Sequence, residues 1–442
     1  CIFFQHHKRI LKTCMKNMKN NRRDFIKKAA MGFTGISIVP RYVLGNGFKA
    51  PSDIFNLGII GTGAQARGLG KRFTKMKESR IIAACDVHKL KLNRFRKTIE
   101  ELDPNNKLEL TTYSNYKDLI ERKDIDGVII STPDHWHAIQ SVESMKSGKH
   151  VYCEKPMSHS IEEGRLMVDT ARKYNKTFQT GSMQRSNGGS KANWRKACEI
   201  IRNGYLGEIQ KVWVDVGNPS AACNLPYQPT PDYLDWDKWL GPAPLRSYHK
   251  ILVEANWFPM WRWYREFGGG ILSDWGAHHF DIIQWALGMD NSGPIKYDPP
   301  IEPTASRGLK MFYSNGIEIE HKYFKPYSIK FFGSKGSLVI NRGSWETDPI
   351  EIKDIDLKST DKKLYFSENH YVDWLDSIKD GSKPICDVEI GHRTATMCQI
   401  ANLAYEFRRP LNWDPVKEEF IDDIEANFRR GKAYRKPYEL KL

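Results

Sequence analysis

Residues 54–66 read IFNLGIIGTGAQA, and this stretch decides the fold of the first half of the chain. An apolar run of strand length is followed directly by G-x-G-x-x-A, ahead of apolar residues at helical spacing. The first glycine permits a tight strand-to-helix turn, the second lets the backbone approach a pyrophosphate, and the small third residue lets helix and strand pack closely. The helix N-terminus adds free N–H groups that favour phosphate. The dinucleotide contacts predicted in this turn are Gly61, Gly63, Ala64, Gln65 and Ala66.

A second strand, over residues 80–85, ends at Asp86, twenty residues after Ala66. An acid at this position is expected to bind the ribose hydroxyls of a dinucleotide. Because its charge would repel a 2′-phosphate, the sequence favours NAD as the cofactor, with NADP the less favoured alternative. A glycine turn that binds no ligand is the competing interpretation of the same pattern.

Strands and helices continue to alternate after this unit, with strands over residues 127–131 and 150–153 and a helix over residues 137–146. Such a series predicts a parallel sheet. Ligands of parallel sheets bind at the carboxyl ends of the strands. Two polar clusters fall at those ends, TPDHWH at residues 132–137 and EKP at residues 154–156. We therefore expect both clusters to face the dinucleotide.

The motifs of this half resemble those of the Gfo/Idh/MocA oxidoreductases, the glucose-fructose oxidoreductase and inositol dehydrogenase family. The resemblance covers nearly everything after residue 51, and it implies that Lys155, the lysine of E-K-P, lies beside the nicotinamide and the substrate. A surface lysine in a turn is the alternative. The motifs that carry the resemblance are Gly61-Thr62-Gly63, Ser131-Thr132-Pro133 with His137, and GKHVYCEKP at residues 148–156. The further cofactor contacts predicted from them are Thr132, Pro133, His137, Glu154 and Lys155.

The pattern changes after residue 181, because strand-like runs now follow one another with few helices between them. This predicts a mostly antiparallel, open sheet in a second α/β domain. We therefore expect a basic leader at residues 1–50, a Rossmann NAD-binding domain at 51–181, and a substrate-binding and oligomerisation domain at 182–442. Gln184, just after the last strand of the first domain, is predicted to contact the nicotinamide ribose or carboxamide. The predicted strands are residues 209–216, 316–323, 328–332 and 337–341, and the late helices are residues 371–379 and 393–407.

The most informative stretch of the second half is GGGILSDWGAHHFD, at residues 268–281. On a helix, Asp274 and His278 are four residues apart and share one face. A carboxylate beside an imidazole would orient the ring and raise its basicity, as a general base requires. The family that the chain resembles carries an Asp-x-x-x-His pair after a glycine run, where the pair works with the E-K-P lysine on a substrate hydroxyl. By this resemblance the catalytic residues are Lys155, Asp274 and His278.

Two other interpretations of this stretch remain open. The Asp–His pair can serve only to pack a capped helix. Asp274, His278 and His279 can also form a metal site, but adjacent residues of a helix diverge by about 100°, and a third ligand on the same face is missing. The sequence thus predicts no metal, and it predicts a structural rather than a catalytic role for His279.

Aromatic residues crowd the approach to this helix between residues 257 and 264. Their flat faces suit the apolar C–H face of a sugar ring, with polar groups fixing its hydroxyls. Ordinary core packing is an equally supported interpretation. The predicted sugar contacts are Trp261, Trp263 and Tyr264, which follow Trp257 and Phe258.

The formal charge of +15 is concentrated at the N-terminus. Residues 1–49 hold 11 Lys and Arg against one acid, whereas the remaining 393 residues hold 57 against 52. A body so close to neutral gives no electrostatic support for nucleic-acid binding. The eight cysteines include no C-x-x-C pair, so neither a zinc finger nor a disulfide framework is indicated.

The basic N-terminal segment resembles an export signal. NRRDFIK at residues 21–27 precedes a mildly apolar stretch, residues 29–40, in the order of a twin-arginine signal. The resemblance predicts that the export machinery reads Arg22-Arg23 and delivers the folded protein, with its cofactor, to the periplasm. An amphipathic basic helix is the alternative. No apolar run reaches the ~18 residues of a membrane span, so no membrane anchor is expected in the mature protein.

Together these features predict a homo-oligomeric enzyme that moves a hydride between NAD and a secondary hydroxyl of a sugar, glycoside or cyclitol. His278 would take the hydroxyl proton, Asp274 would orient and stabilise the imidazolium, and Lys155 would stabilise the developing alkoxide. Two other functions remain open. One is redox-neutral glycoside cleavage, which oxidises C3, eliminates across C1 and C2, and reduces again with the same NAD. The other is a sugar-binding protein without chemistry, against which the complete set of three residues argues.

Overall fold

The structure is a computed structural model, in which the chain separates into two units, Cys1–Asp53 and Ile54–Leu442. The predicted leader with Arg22-Arg23 lies outside the described residues. The described residues are 54–102, 109–186, 192–254 and 259–441.

A parallel sheet forms the first half of the described chain. Its strands are β1 (Phe55–Ile60), β2 (Ser79–Cys85), β3 (Thr111–Tyr113), β4 (Gly127–Ile130), β5 (His150–Cys153) and β6 (Phe178–Thr180). Its helices are α1 (Ala64–Lys75), α2 (Lys89–Leu102), α3 (Tyr116–Ile120), α4 (Asp134–Lys146) and α5 (Ile161–Lys173). The strand order is β3-β2-β1-β4-β5-β6. The order reverses between β1 and β4, and a crevice for a ligand opens at such a point.

The apolar runs of the sequence account for this sheet. From Leu57 to Ile60, β1 is buried on both faces, as expected for a parallel strand covered by helices. Helix α1 buries Leu69 and Phe73 against the sheet. Helix α5 begins with a capping box, because Ser160 Oγ accepts from the backbone N of Glu163 while the Glu163 carboxylate accepts from the backbone N of Ser160.

A nine-stranded sheet forms the second half. Its strands are β7 (Ile209–Val214), β8 (Lys296–Asp298), β9 (Lys310–Phe312), β10 (Glu318–His321), β11 (Ile329–Gly333), β12 (Gly336–Ile340), β13 (Trp345–Asp348), β14 (Leu411–Asp414) and β15 (Glu419–Phe420). The order is β13-β12-β11-β7-β10-β9-β8-β14-β15. Strands β7 and β10 pair in parallel, and the neighbouring pairs around them are antiparallel. The predicted fold class, a Rossmann domain with a second, mostly antiparallel α/β domain, is confirmed.

The helices of the second half are α6 (Trp194–Arg202), α7 (Trp236–Leu240), α8 (Gly270–Leu287), α9 (Glu351–Asp354), α10 (His370–Asp380), α11 (Val388–Phe407) and α12 (Ile424–Phe428). Helix α8 is buried along almost its whole length, where it packs against α6 and α11. Its first residue, Gly270, has a φ of +73°, and a Cβ there would lie 2.4 Å from the backbone N of Ser220. The glycine run thus lets α8 begin against neighbouring backbone. In the described part of the chain, every helix is too short or too polar to cross a membrane.

Helix α10 returns to the first sheet, where Trp374 and Leu375 join the core formed by β1 and α1. The Trp374 ring meets Phe73 edge to face, with 5.8 Å between the ring centres. The core of the first half therefore includes residues from far along the chain.

Candidate active site

A cavity of about 900 Å³ lies at the carboxyl ends of the parallel strands. It begins at the turn between β1 and α1, passes the loops after β4 and β5, and reaches helix α8 and the loop after β12. We call the part at Gly61, Gly63 and Asp86 the glycine end. The opposite part, which we call the charged end, consists of Lys155, Arg262, Asp274, His278 and Arg342.

The two motif glycines at the glycine end serve different purposes. Gly61 has a φ of +83°, and a Cβ there would stand 2.7 Å from the carbonyl oxygen of Ser131, so the fold itself requires glycine. A Cβ on Gly63 would meet nothing within 4 Å. Gly63 therefore leaves the backbone bare where α1 begins, as a cradle for a pyrophosphate requires.

Asp86 is fixed at the end of β2 by three hydrogen bonds. Its Oδ2 accepts from the backbone N and from Oγ1 of Thr62, both at 2.7 Å, and its Oδ1 accepts from the backbone N of His88 at 2.8 Å. Burial lowers the pKa of His88, which is 3% exposed, so its ring supplies no cation here. A carboxylate fixed in this way can accept from ribose hydroxyls and would repel a 2′-phosphate.

The structure places all but two of the other predicted cofactor residues on the cavity wall. Gln65 donates from Nε2 to Glu154 Oε1 at 2.8 Å, which joins the first turn of α1 to the loop after β5. Ala66 is fully buried between α1 and the sheet instead, where a small residue permits close packing. Gln184 also lies off the cavity wall. The predicted residues on the wall are Gly61, Gly63, Ala64, Gln65, Asp86, Thr132, Pro133, His137, Glu154 and Lys155.

His137 ties the loops after β4 and β5 together. Its Nδ1 lies 2.9 Å from the carbonyl oxygen of Pro156, and its Nε2 lies 2.9 Å from that of Thr132. Burial lowers the pKa of His137 to about 4. The ring is therefore neutral at pH 7 and donates to one of the two carbonyl groups. The contacts of His137 thus hold two cavity-lining loops at a fixed separation.

An ion pair dominates the charged end. Lys155 donates from Nζ to Asp274 Oδ1 at 2.7 Å and to the Asp274 carbonyl oxygen at 2.9 Å. Arg262 donates from Nε to the same Oδ1 at 3.2 Å. Burial alone would raise the pKa of Asp274, but Lys155 and Arg262 outweigh it and hold the pKa below its ordinary value. Asp274 is therefore ionised and fixed between two cations.

The expected pairing of Asp274 with His278 is not the one that the structure shows. Among the described residues, no hydrogen bond joins the two side chains, and His278 Nδ1 is buried without a partner. The carboxylate is instead held by Lys155 and Arg262, which are stronger partners for an ion. Burial, followed by Lys155 and Arg342, lowers the pKa of His278 far below its ordinary value, so the ring is neutral.

His279 and Gln184 stand behind the charged end, off the described cavity wall. His279 is fully buried, with its Nε2 2.9 Å from the Tyr327 carbonyl oxygen and its Nδ1 3.4 Å from Gln184 Nε2. Gln184 Oε1 accepts from Arg342 Nε at 3.1 Å. The structure therefore gives Gln184 a supporting contact to Arg342 where the sequence predicts a direct cofactor contact.

Of the predicted aromatic sugar contacts, Trp261 lines the cavity. Trp263 and Tyr264 are absent from the cavity wall that the described residues form, and Tyr264 packs against a separate core with Trp239 and Phe267. Trp257 and Phe258 lie outside the described residues. The indole of Trp275, which no sequence pattern indicated as a ligand contact, also borders the cavity, as do those of Trp136 and Trp239.

Two arginines of the charged end were also missed. Arg262 lies in the 3₁₀ turn Met260–Trp263, with its guanidinium 4.3 Å from the centre of the Trp261 ring. Arg342 follows β12, with its guanidinium 4.6 Å from the centre of the Trp275 ring. The aromatic cluster around Arg262 was a usable signal. No sequence signal indicates Arg342, because only the folding of the second sheet brings this residue to α8.

Asp134, at the start of α4, is a further acid on the cavity wall. It is 4% exposed, and burial raises its pKa to about 8. Asp274 adds to this rise, while Arg262 and Lys155 oppose it. At pH 7 this carboxyl group is therefore mostly protonated. Within the described residues, no group of three or more His, Cys, Asp or Glu side chains is placed to hold a metal ion.

A parallel sheet with a bare glycine turn, joined to a charged pocket on a second sheet, defines a two-domain dinucleotide-binding protein. Two family models match the chain. Residues 55–182 match "Oxidoreductase family, NAD-binding Rossmann fold", and residues 210–440 match "Oxidoreductase family, C-terminal alpha/beta domain". The chain belongs to the Gfo/Idh/MocA oxidoreductase family, and its first domain is an NAD-binding Rossmann domain.

Curated relatives and solved structures resemble the chain to different extents. A glycosyl hydrolase family 109 protein of Shewanella baltica strain OS195 is 32% identical over 209 residues, which is 43% of this chain and 44% of that protein. A WlbA dehydrogenase of Bordetella pertussis, solved with NADH and UDP-GlcNAcA, superimposes with a TM-score of 0.57 at 17% identity over 82% of this chain and 98% of its own. An aldose-aldose oxidoreductase of Caulobacter crescentus gives a TM-score of 0.55 at 18% identity, over 81% and 99%. The solved structures share the fold.

Proposed function

We propose that this protein is an NAD-dependent oxidoreductase that acts on a secondary hydroxyl of a sugar, glycoside or cyclitol. The observation that carries the proposal is a single cavity joining the bare backbone of Gly63 to the ion pair of Lys155 and Asp274. The family and the dehydrogenases that share the fold support it.

The glycine end fits NAD. Gly61, Gly63 and the first turn of α1 would hold the pyrophosphate, and Asp86 would accept from ribose hydroxyls. The wall beyond them, with Thr132 and Pro133, leads from this end to the charged end. When bound, NAD supplies the hydride acceptor or donor.

The charged end supplies the proton chemistry in this proposal. The Lys155 ammonium, fixed by Asp274, stabilises negative charge on the oxygen of a substrate hydroxyl and lowers the pKa of that hydroxyl. His278 is neutral and so has a ring nitrogen that can accept the proton. Asp274 positions Lys155 and Arg262 rather than the imidazole, because those are its hydrogen-bond partners.

The test is a panel of free sugars, glycosides and inositols given to the purified protein, with nicotinamide fluorescence and product masses followed together. The expected result is NADH accumulating with a product two hydrogens lighter than its substrate. A protein that binds no nicotinamide and alters no member of the panel would contradict the proposal and leave a sugar-binding role.

A second candidate is redox-neutral cleavage of glycosides, which the 32% identity to a glycosyl hydrolase family 109 protein favours. In this reaction the substrate is oxidised at C3, loses its aglycone by elimination across C1 and C2, takes up water and is reduced again. The same panel separates the two candidates, because cleavage releases a free aglycone while the NADH signal stays flat.

We also propose that the protein is exported through the twin-arginine route to the periplasm and that it forms homo-oligomers. The support for export is NRRDFIK at residues 21–27. An exported enzyme must carry its NAD, so denatured protein is expected to release about one nicotinamide per chain. Replacing both Arg22 and Arg23 by Lys should retain the protein in the cytoplasm, and unchanged export would contradict the proposed route.

The proposed homo-oligomer is tested by measuring the mass of the purified protein in solution by light scattering. A mass equal to that of one chain would contradict it.

A further inference from the structure

A segment from the second half of the chain covers the end of β2, directly after Asp86. The backbone N of Lys89 donates to the Tyr233 carbonyl oxygen at 2.8 Å, and the backbone N of Asp235 donates to that of Val87 at 3.1 Å. Helix α7 begins at the next residue, so it lies beside the ribose site that Asp86 marks. Two residues of α7 line the cavity, Lys238 and Trp239.

The C-terminal segment 435–439, which we call the clasp, is attached to α7. Arg435 donates from Nη1 to Asp237 Oδ1 at 2.6 Å and from Nε to the Gly241 carbonyl oxygen at 2.8 Å. The clasp also borders the same cavity as the glycine turn. Its residues on the cavity wall are Pro437, Tyr438 and Glu439.

A row of three aromatic rings joins the clasp to the first half of the chain. Trp136 meets Tyr116 edge to face at 5.7 Å between ring centres and meets Tyr438 edge to face at 5.2 Å, and all three residues line the cavity. Trp136 also donates from Nε1 to the Trp239 carbonyl oxygen at 3.0 Å, which fixes α7 to the same ring. Tyr116 and Trp136 are buried, whereas Tyr438 is half-buried and keeps apolar surface that a ligand can cover.

The strand order indicates which part of NAD lies beside these rings. Strands β2 and β3 lie on one side of β1, and β5, which precedes Lys155, lies on the other. A pyrophosphate at Gly63, after β1, therefore has its nicotinamide half toward Lys155 and its adenosine half toward β2 and β3. Tyr116 begins the helix after β3, so the aromatic row lies on the adenosine side. The flat faces of such rings suit a purine base.

We infer that the clasp, together with α7, closes over the adenosine half of NAD and keeps the cofactor in the protein between turnovers. NAD enclosed in this way leaves when the clasp separates from α7 and from Trp136, so these contacts set the dissociation rate. The inference requires that the chain binds NAD, and it applies equally to net oxidation and to redox-neutral cleavage.

The test measures how fast NAD leaves the loaded protein. Protein carrying radiolabelled NAD is mixed with an excess of unlabelled NAD, and the label that stays bound is followed by filtration. Tyr438→Ala should raise the dissociation rate by about 10- to 100-fold, the range for loss of an aromatic contact with a base. Tyr438→Phe keeps the ring and should release NAD at the parental rate. Tyr323→Ala, at an exposed position after β10, is the matched control and should also leave the rate unchanged.

A second variant tests the attachment of the clasp to α7. Arg435→Gln removes the ion pair with Asp237 but leaves the Tyr438 ring in place, so the dissociation rate should rise less, by about two- to fivefold. Arg96→Gln, on the exposed side of α2, is its control and should have no effect.

Fragments of the cofactor distinguish a local contact from general loosening of the fold. In Tyr438→Ala, the Kd for ADP-ribose should rise by about the same factor as the Kd for NAD, whereas the Kd for nicotinamide mononucleotide should stay at the parental value. Equal weakening of both fragments would overturn the inference, and so would an unchanged dissociation rate in Tyr438→Ala. Turnover of a sugar by the parent protein under those conditions would leave the proposed function standing. Conversely, Tyr438-dependent retention of NAD in a protein that alters no sugar would support the inference and contradict the proposed function.

Discussion

The two ends of the cavity are built in different ways. The glycine end is made largely of backbone from one β-α-β unit, β1-α1-β2. Its carboxylate, Asp86, directly follows β2, the second strand of that unit. The charged end is made of side chains from four separate segments, and its geometry depends on the ion pairs between them. A backbone cradle persists when single side chains change, whereas an ion-pair cluster does not. We expect substitutions at the charged end to affect chemistry most and those at the glycine end to affect cofactor affinity.

Lys155→Met should give the largest effect on turnover. The change keeps the length of the side chain but removes the ammonium that stabilises the developing alkoxide, so kcat should fall by about 10²- to 10³-fold. NAD should remain bound, because its pyrophosphate and ribose contacts lie at the other end. Turnover and released nicotinamide measure the two outcomes. Lys123→Met, at an exposed position, should change neither. Loss of NAD from Lys155→Met would show that the two ends are not separable.

A double-mutant cycle tests which partner Asp274 serves. Asp274→Asn weakens the hold on Lys155, so its effect should overlap with that of Lys155→Met, with a coupling energy of about 1 to 3 kcal/mol in the activation free energy. His278→Ala should lower kcat by about 10²-fold as the proposed base is lost. Asp274→Asn and His278→Ala should combine almost additively, since no hydrogen bond joins them. Strong coupling of that second pair would restore the Asp–His dyad that the sequence predicts.

The same contrast explains what could be predicted from the sequence. The glycine turn, Asp86 and the parallel first sheet follow from local periodicity and short motifs, and the fold class was correct. The spacing of Asp274 and His278 placed both on α8, yet it could not show that Lys155, more than 100 residues earlier, takes the carboxylate. Arg342 could not be predicted, because the β11–β12 hairpin reaches the cavity only through the long-range pairing of β11 with β7. Local sequence patterns predict helices and strands. Which side chain pairs with a given carboxylate depends on residues that are far apart in the chain and meet only in the folded structure.

The motif glycines separate folding from cofactor binding. Gly63→Ala adds a Cβ that touches nothing in the protein, so NAD-free stability should change by no more than about 1 kcal/mol. The same methyl group would stand where a pyrophosphate approaches, and the Kd for NAD should rise by about 10- to 100-fold. Gly61→Ala should instead destabilise the NAD-free protein by about 2 kcal/mol or more, since it combines a positive φ with a backbone clash. Urea unfolding measures the stability of the NAD-free variants, and titration with NAD measures their Kd. Unchanged NAD affinity in Gly63→Ala would contradict the proposed cradle.

Asp86→Ala should have a smaller effect on the cofactor. It removes an acceptor for the ribose hydroxyls, and the Kd for NAD should rise by about 10-fold. It also removes the charge that repels a 2′-phosphate, so the ratio of NADP to NAD affinity should increase. Asp118→Ala, an exposed carboxylate on α3, is the control for a general change in charge. An unchanged ratio would mean that Asp86 does not discriminate between the two cofactors.

Asp134→Asn should change the pH dependence of stability rather than turnover or cofactor affinity. Burial raises the pKa of Asp134 to about 8, whereas an unfolded aspartate titrates near pH 4. Between these values the unfolded chain binds fewer protons at this site than the folded chain does. Asp134 therefore makes the fold less stable as pH rises through that window, by at most about 1.4 kcal/mol per pH unit, and the penalty levels off above pH 8. Asparagine has no such penalty, so the free energy of unfolding of the variant, measured in urea without NAD, should rise relative to that of the parent between pH 5 and pH 8.

The control is Asp376→Asn, at an exposed position of α10. Its free energy of unfolding should differ from that of the parent by a constant amount over the same pH range. Parallel curves for Asp134→Asn and the parent would mean that the buried carboxyl is already ionised in the folded protein.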